Sequence, residues 1–558
     1  MNRMVQNGDS LVIDYDLIGL PTAQHKAGLA GLLVMIGTME ARAIAPLPSV
    51  EHLTPTSARI TFTRDSLQKV FDDLYDAQWV EIESKSRRDK TVPKRIIEKV
   101  VDANGRTEKR FIYDAVQPKG MFLQLLFDGE GSPWVTLWRN MLWKTLRAKH
   151  LSRAVYQARA DGKPYPVESL WNGLIRACKQ QQKGRIQTEN FSSSIFIGAE
   201  DSNSEKVPFK GTVDNNLLLH FWPVVSLIFV PRTASPQSTR ESGWKGEKDE
   251  GYILAIPEPS ALRGFIIDVQ NFLKGLDLST AGLYPKDCLI DLVPEAGMEY
   301  LYHFSRNRIV DSDLNLSLCA VELYHLQKKG NRIRHLAAER MAPRREVLLV
   351  YEPMRQRVRN PFFKSIYLRN ILEDRRWHEQ AEGVLHRYPM PVFVHNREKS
   401  PKDFFGRDVR SMFSVVEQAL QFQKEEMKME ATKLSEEACD NQLALRIYRL
   451  IQTYVNHRTE EKSGKKYKDF SANRDEKNRV IYPDEYREAR EKVCSDAFLA
   501  MRGRREQDFV EYFSGTICSV PQYLPETEFV AVAEALHSDW ERAKTLSMLA
   551  LSAHSYLV

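Results

Sequence analysis

The stretch PTAQHKAGLAGLLVMIGTMEARAI, residues 21–44, reads as one helix opened by Pro21 and Thr22. Small residues crowd its first turns: Ala27, Gly28, Ala30 and Gly31. Glycine costs a helix up to about 1 kcal/mol per site relative to alanine, so glycines here need a compensation. The expected one is a second backbone packed close against the helix. Residues 10–18, just before it, alternate as a strand does. A strand leading into a close-packed helix sets a mixed architecture for the N-terminal part.

The same reading extends outward. Residues 63–77 form a helix, with Leu67, Val70, Phe71 and Leu74 at helical spacing. Residues 95–113 form a hairpin around Asn104-Gly105, a pair that tolerates positive φ. Residues 134–160 read as one long helix, apolar on one side and basic on the other, and 167–182 as a second. Short strands and turns are expected over 194–198, 217–230 and 251–256, and a mobile polar loop between 232 and 251. A helix over 261–275 precedes a hairpin of 316–326 and 332–339 with a basic tip at Lys328 and Lys329. From residue 409 onward nearly every apolar residue recurs at helical period, including Leu443, Ile447, Leu450 and Val455. The fold class is therefore α+β: a large mixed α/β part, residues 1–408, followed by an all-α bundle, residues 409–558.

The 558 residues carry a formal charge of +6, and its grouping says more than its size. Residues 139–185 net +9, 321–378 net +8 and 85–119 net +6, so the remainder is acidic. Grouped lysine and arginine is the footprint of a polyanion partner, unless the groups are solvated faces that never converge. The six cysteines are scattered with no CxxC pair, which implies reduced thiols in a cytoplasmic protein. No signal peptide opens the chain, and the longest apolar run, 217–231, is too short to span a bilayer.

No phosphate-binding glycine loop, dinucleotide fingerprint, HExxH or GxSxG occurs. The 13 histidines are dispersed without metal-ligand spacing. No enzyme, cofactor or metal is expected.

Several long stretches carry a resemblance. LPTAQHKAGLAGLL (20–33), NFSSSIFIGAEDSNSEKVPFKG (190–211), LLLHFWPVVSLIFVP (217–231), GYILAIP (251–257) and the closing 486–525 resemble the large subunit of type I CRISPR Cascade complexes. This is the Cas-eight family, in its Myxan variant grouped with subtype I-B. The resemblance covers nearly the whole chain. It implies a non-catalytic subunit that contacts the guide CRISPR RNA handle and reads the protospacer-adjacent motif on duplex DNA. Such a subunit helps open the duplex and stabilises the R-loop, while base pairing reads the rest. The implied partners are target duplex and displaced strand, the Cas-five-, Cas-seven- and Cas-six-type subunits, a small subunit, and a helicase-nuclease or transposition adaptor. The C-terminal bundle would resemble the Cascade small subunit.

Residue types fit these roles. Ser192, Ser193, Ser194 and Asn203 suit base edges in a narrow groove, with Lys206 and Lys210 holding phosphates. Lys183 and Arg185 flank the same loop; a plain solvent loop would look alike. His25 and Lys26 stand near a helix start where an RNA phosphate binds, or are a packed histidine beside a solvated lysine. Lys328, Lys329 and Arg332 at the hairpin tip touch DNA, or are simply a charged hairpin end. In the bundle, Arg446, Arg449, Arg502, Arg504 and Arg505 face phosphate, with Gly503 permitting the bend, or pair with nearby carboxylates. Translation starting inside the gene near Met427 or Met429 would release the bundle as a free small subunit. Two other readings remain: a free-standing duplex-binding or transposon-associated adaptor, and a nuclease whose metal site assembles from distant residues.

Overall fold

The computed structural model describes residues 2–87, 92–100, 107–129, 131–141, 150–190, 195–197, 209–235, 245–249, 251–305, 317–329, 332–394, 404–427, 436–521 and 525–557. The chain divides into two compact units. The first is Met1–Arg232 with Asp249–Leu348, and the second is Thr233–Lys248 with Leu349–Val558.

The first unit is built around the helix Ala23–Ala41, buried on nearly all sides from Ala23 to Met39. A helix that is apolar all round belongs inside a core. Thr22 caps it, its hydroxyl accepting from the backbone N–H of His25. The close backbone expected from Gly28 and Gly31 is present. A Cβ at Gly28 would lie 2.1 Å from the carbonyl oxygen of Leu218, and one at Gly31 2.1 Å from that of Phe221.

Two sheets enclose this helix's unit. The smaller is antiparallel, in the order Arg3–Asn7, Ser10–Asp16, Ser57–Thr63, Ser49–Glu51. Leu11, Ile13 and Tyr15 alternate inward beside Ala58, Ile60 and Phe62. The larger runs Leu227–Ser235, Tyr252–Pro259, Leu318–Lys329, Arg332–Met341. Its central strands are continuous apolar runs (Leu227–Val230, Ile253–Ile256), as strands covered on both faces must be. A three-stranded sheet joins Ala77–Ser84 and Arg95–Val100 to either side of Thr107–Pro118.

Two expectations need correction. Residues 217–230 are not one strand: the helix Val213–Leu218 and a 3-10 turn, Trp222–Val225, precede a strand that starts at Leu227. Every residue from Phe221 to Val230 is buried, so no alternation was there to separate strand from turn. Of the short strands and turns expected over 194–198, Ile195–Ile197 is a turn. The polar loop after residue 232 contains a strand, Lys245–Asp249. The expected helix over 134–160 shows as Pro133–Met141 and His150–Ala160, and the junction at 142–149 lies outside the described residues, as does the 104–105 turn.

The second unit is helical. Phe405–Met427, Glu436–Ser463, Asp484–Gly503 and Trp540–Ser555 pack together, and Trp540–Ser555 is buried continuously from Ala543 to Ser555. Gly406 repeats the device of the first unit, a Cβ there lying 2.1 Å from the Ser552 carbonyl oxygen. The unit also takes in residues before 409, among them the helices Pro361–Leu372 and Ala381–Arg387. A product starting at Met427 or Met429 would lose Phe405–Met427, whose Val409, Phe413, Val416 and Leu420 are buried. Among the described residues no helix is long and apolar enough to cross a membrane. Cys178, Cys288 and Cys494 are buried thiols, while Cys319 and Cys439 are exposed.

Candidate nucleic-acid interface

The serine- and asparagine-rich loop is anchored at both ends and in its middle. The helix Val167–Gln182 leads into it and is held by Gln181, whose side chain accepts from the Met4 N–H (2.8 Å) and donates to the Asn2 carbonyl (2.6 Å). The chain then passes the exposed Lys183 and Arg185 into Thr188–Asn190, which pairs with Lys210–Thr212, Asn190 opposite Lys210. Lys183 and Arg185 precede the first of these strands and Lys210 opens the second, and all three are exposed. Ser192, Ser193, Ser194, Asn203 and Lys206 lie outside the described residues.

The middle anchor was not foreseen. Gln24 acts as a strand would: its amide donates to the Ile197 carbonyl and accepts from the Ile197 N–H, both at 2.9 Å. Trp222 Nε1 donates to the Ile195 carbonyl at 2.8 Å, and the His25 and Phe196 rings lie 6.0 Å apart. The start of the buried helix thus pins Ile195–Ile197. Gln24 is 1% exposed, so its buried amide needs these partners.

The same geometry corrects two expectations. His25 is 1% exposed, with Nδ1 2.8 Å from the Thr22 hydroxyl, so its ring serves the helix start and the loop and faces no phosphate. Lys26 is spent on Glu258 at 2.8 Å, a carboxylate that also takes Arg340 at 2.8 Å. Burial pushes Glu258 up, but hydrogen bonds from Lys26 and Arg340 outweigh it and hold the carboxyl below its usual value. At the hairpin tip Lys328 is exposed, and Lys329 pairs with Arg332 as the last rung.

Burial lowers the His25 pKa from 6.5 to about 4. The folded chain keeps this ring neutral while the unfolded chain protonates it near 6.5. The stabilisation is complete above that value and is lost as pH falls toward 4. Between pH 7 and 5 the full chain is expected to lose about 2 kcal/mol through this group. Denaturant melts at the two pH values check this: His25→Gln should show a smaller loss by that amount, and equal losses would remove His25 as the cause.

In the second unit the arginine turn is tied inward. The helix Asp484–Gly503 ends on it, and the buried Lys544 donates to the carbonyls of Arg502 (3.4 Å) and Arg504 (2.9 Å). A cation on the last carbonyls of a helix opposes its dipole. Arg502 donates to the His386 carbonyl; Arg504 pairs with Asp508 and lies 4.8 Å above the Tyr512 ring. Arg446 sits 4.0 Å from Glu528, and Arg449 3.0 Å from Glu417. Arg505 is exposed with no ion-pair partner among the described residues. Gly503 is not required by the bend: its φ is not positive and a Cβ there meets nothing within 4 Å.

Among the described residues no group of three histidine, cysteine or carboxylate side chains stands ready to hold a metal. The family model for the type I-B CRISPR Cas8b N-terminal domain matches residues 47–313, and that for the Cas8b C-terminal domain matches residues 318–554. No curated protein matches the chain.

Proposed function

We propose a function from one premise: the chain belongs to the Cas8b family, and so is the large subunit of a type I-B CRISPR Cascade complex. In that complex, with its guide RNA and other Cascade subunits, it acts without catalysis. The loop between Asn190 and Lys210 reads the protospacer-adjacent motif and helps open the duplex. Lys183, Arg185 and Lys210 hold phosphates beside it. Arg505, exposed at a turn whose other arginines are engaged, meets the backbone of the R-loop in the helical unit. The unit also offers a docking surface for downstream nuclease or transposition proteins, and the setting is cytoplasmic. The single observation that carries the reading is the three-point anchoring of this polar loop. A solvent loop has no need of a buried glutamine and a tryptophan committed to its middle.

The test is target binding by the reconstituted complex with and without this chain, using a library randomised beside the protospacer. Binding that selects a short flanking motif only when the chain is present is expected. Asn203→Ala with Lys206→Ala should flatten that selection by tenfold or more, since one base contact is worth about 1–3 kcal/mol. Gln24→Ala should flatten it while leaving complex assembly intact. Binding with no flanking preference overturns the proposal. Duplex binding by the chain without guide RNA would favour a free-standing adaptor.

A further inference from the structure

The second unit contains a polar cavity of about 490 Å³, inside the roughly 300–1,000 Å³ span of small-molecule sites. Its charged lining is three cations, Arg410, Lys468 and Arg490, against one carboxylate, Glu460. Glu460 is already engaged, accepting the Tyr467 backbone N–H at 3.0 Å. Arg490 is fixed at the floor, donating through Nε to the His554 carbonyl (2.6 Å) and through Nη1 to Asn456 (2.8 Å). Arg410 and Lys468 stand exposed at the rim. A cavity with this surplus of positive charge is made for an anion.

One wall is aromatic. Tyr467, Tyr482 and Tyr486 form a file from rim to floor, Tyr482 stacked on Tyr486 at 6.0 Å and 22° and lying 6.3 Å from Tyr467. Tyr486 is 1% exposed and Tyr467 43%, so the outermost ring offers a face to an incoming flat group. Burial raises the Tyr482 and Tyr486 phenols above their ordinary pKa, which keeps them neutral donors that do not repel an anion. A tyrosine face beside paired cations is how proteins hold one unit of a nucleic acid strand, ring on ring and phosphate on cation.

We propose that this cavity binds a single nucleotide unit, its base against Tyr467 and its phosphate between Arg410 and Lys468. The unit comes either from a free nucleotide or from an unstacked residue of a single strand. The proposal stands on the cavity alone and holds whether or not the loop of the first unit reads a motif.

Saturation-transfer NMR on the full chain with thymidine monophosphate tests it. Transfer to the base protons is expected, reduced at least fivefold in Tyr467→Ala and in Lys468→Glu. Both positions are exposed, and circular dichroism and melting temperature matching the parent establish that the variants fold. If a variant fails that control, Arg410→Gln replaces it. Competition by oligothymidylate at lower concentration than the mononucleotide identifies a strand as the source, and competition by the mononucleotide alone identifies a free nucleotide. No transfer, or transfer unchanged in all folded variants, overturns the proposal. Inorganic phosphate displacing the nucleotide at equal concentration would reduce the cavity to an anion site and overturn the base-stacking half.

Discussion

Gly31→Ala is expected to disrupt the first unit, while the same change at Gly37 in the same helix is expected to be neutral or mildly stabilising. The new methyl at Gly31 would sit 2.1 Å from the Phe221 carbonyl oxygen, and at Gly28 the same distance from that of Leu218. Neither oxygen can retreat cheaply. The Leu218 carbonyl accepts the Phe221 N–H at 2.9 Å and the Phe221 carbonyl accepts the Val224 N–H at 3.0 Å, so both belong to one tight turn. The Phe221 ring is wedged edge-on against Phe71 at 5.6 Å. Overpacking a core costs about 1–3 kcal/mol where side chains yield. Here backbone must yield, and the double change Gly28→Ala/Gly31→Ala should exceed about 3 kcal/mol, a large part of a typical domain's stability. At Gly37 a Cβ meets nothing within 4 Å, so the gain in helix propensity of up to about 1 kcal/mol acts alone. Denaturant melts and soluble yield of the three variants give the answer. A Gly31→Ala chain as stable as the parent would mean that helix and turn stand apart, and the close-packing account would fail.

That contact shows where sequence reading succeeds. Glycines on successive turns have no use in a helix except to admit something close, so an approaching backbone followed from helix energetics alone. The strand Ser10–Asp16, the capped helix Arg64–Leu74 and the helix Val167–Gln182 were legible for the same kind of reason: each exposes one side, and exposure writes a period into the sequence. The approaching partner was not legible. Phe221–Val230 is buried throughout, and a segment with no exposed side has no period to read. The candidate site divides likewise. The cations flanking the loop were visible as lysine and arginine near a turn-rich stretch. Gln24 was invisible, because only the fold places Ile195–Ile197 beside it. His25 and Lys26 had two readings, since a helix start attracts anions in general, and here burial engages His25 while Glu258 engages Lys26.

Asp440→Ala is expected to destabilise the second unit by about 3 kcal/mol, because this one carboxylate holds together segments far apart in the chain. Asp440 is 2% exposed on the helix Glu436–Ser463. It lies 3.3 Å from Arg376 and 3.0 Å from His378 Nε2, and it also pairs with Arg542 of the last helix. Burial, reinforced by Arg542, lowers the His378 pKa to about 3. The ring is therefore neutral at pH 7 and must carry its proton on Nε2 to donate to Asp440. Removing the carboxylate takes a shared, buried counter-charge from two guanidinium groups, although Arg376 keeps Glu379 at 4.0 Å, and leaves the His378 proton without its acceptor. Asp440→Asn keeps the shape and loses the charge, so it should recover only a small part. Asp440→Leu combined with Arg542→Leu should recover more, since an ion pair replaced whole costs less than one broken. Denaturant melts of the full-length variants separate these cases; equal stability of Asp440→Ala and the parent would show the cluster to be idle. The same cluster ties residues before 409 to the bundle helices. Arg376 and His378 precede the helix Phe405–Met427, and a chain cut at 409 would leave Asp440 and Arg542 without them.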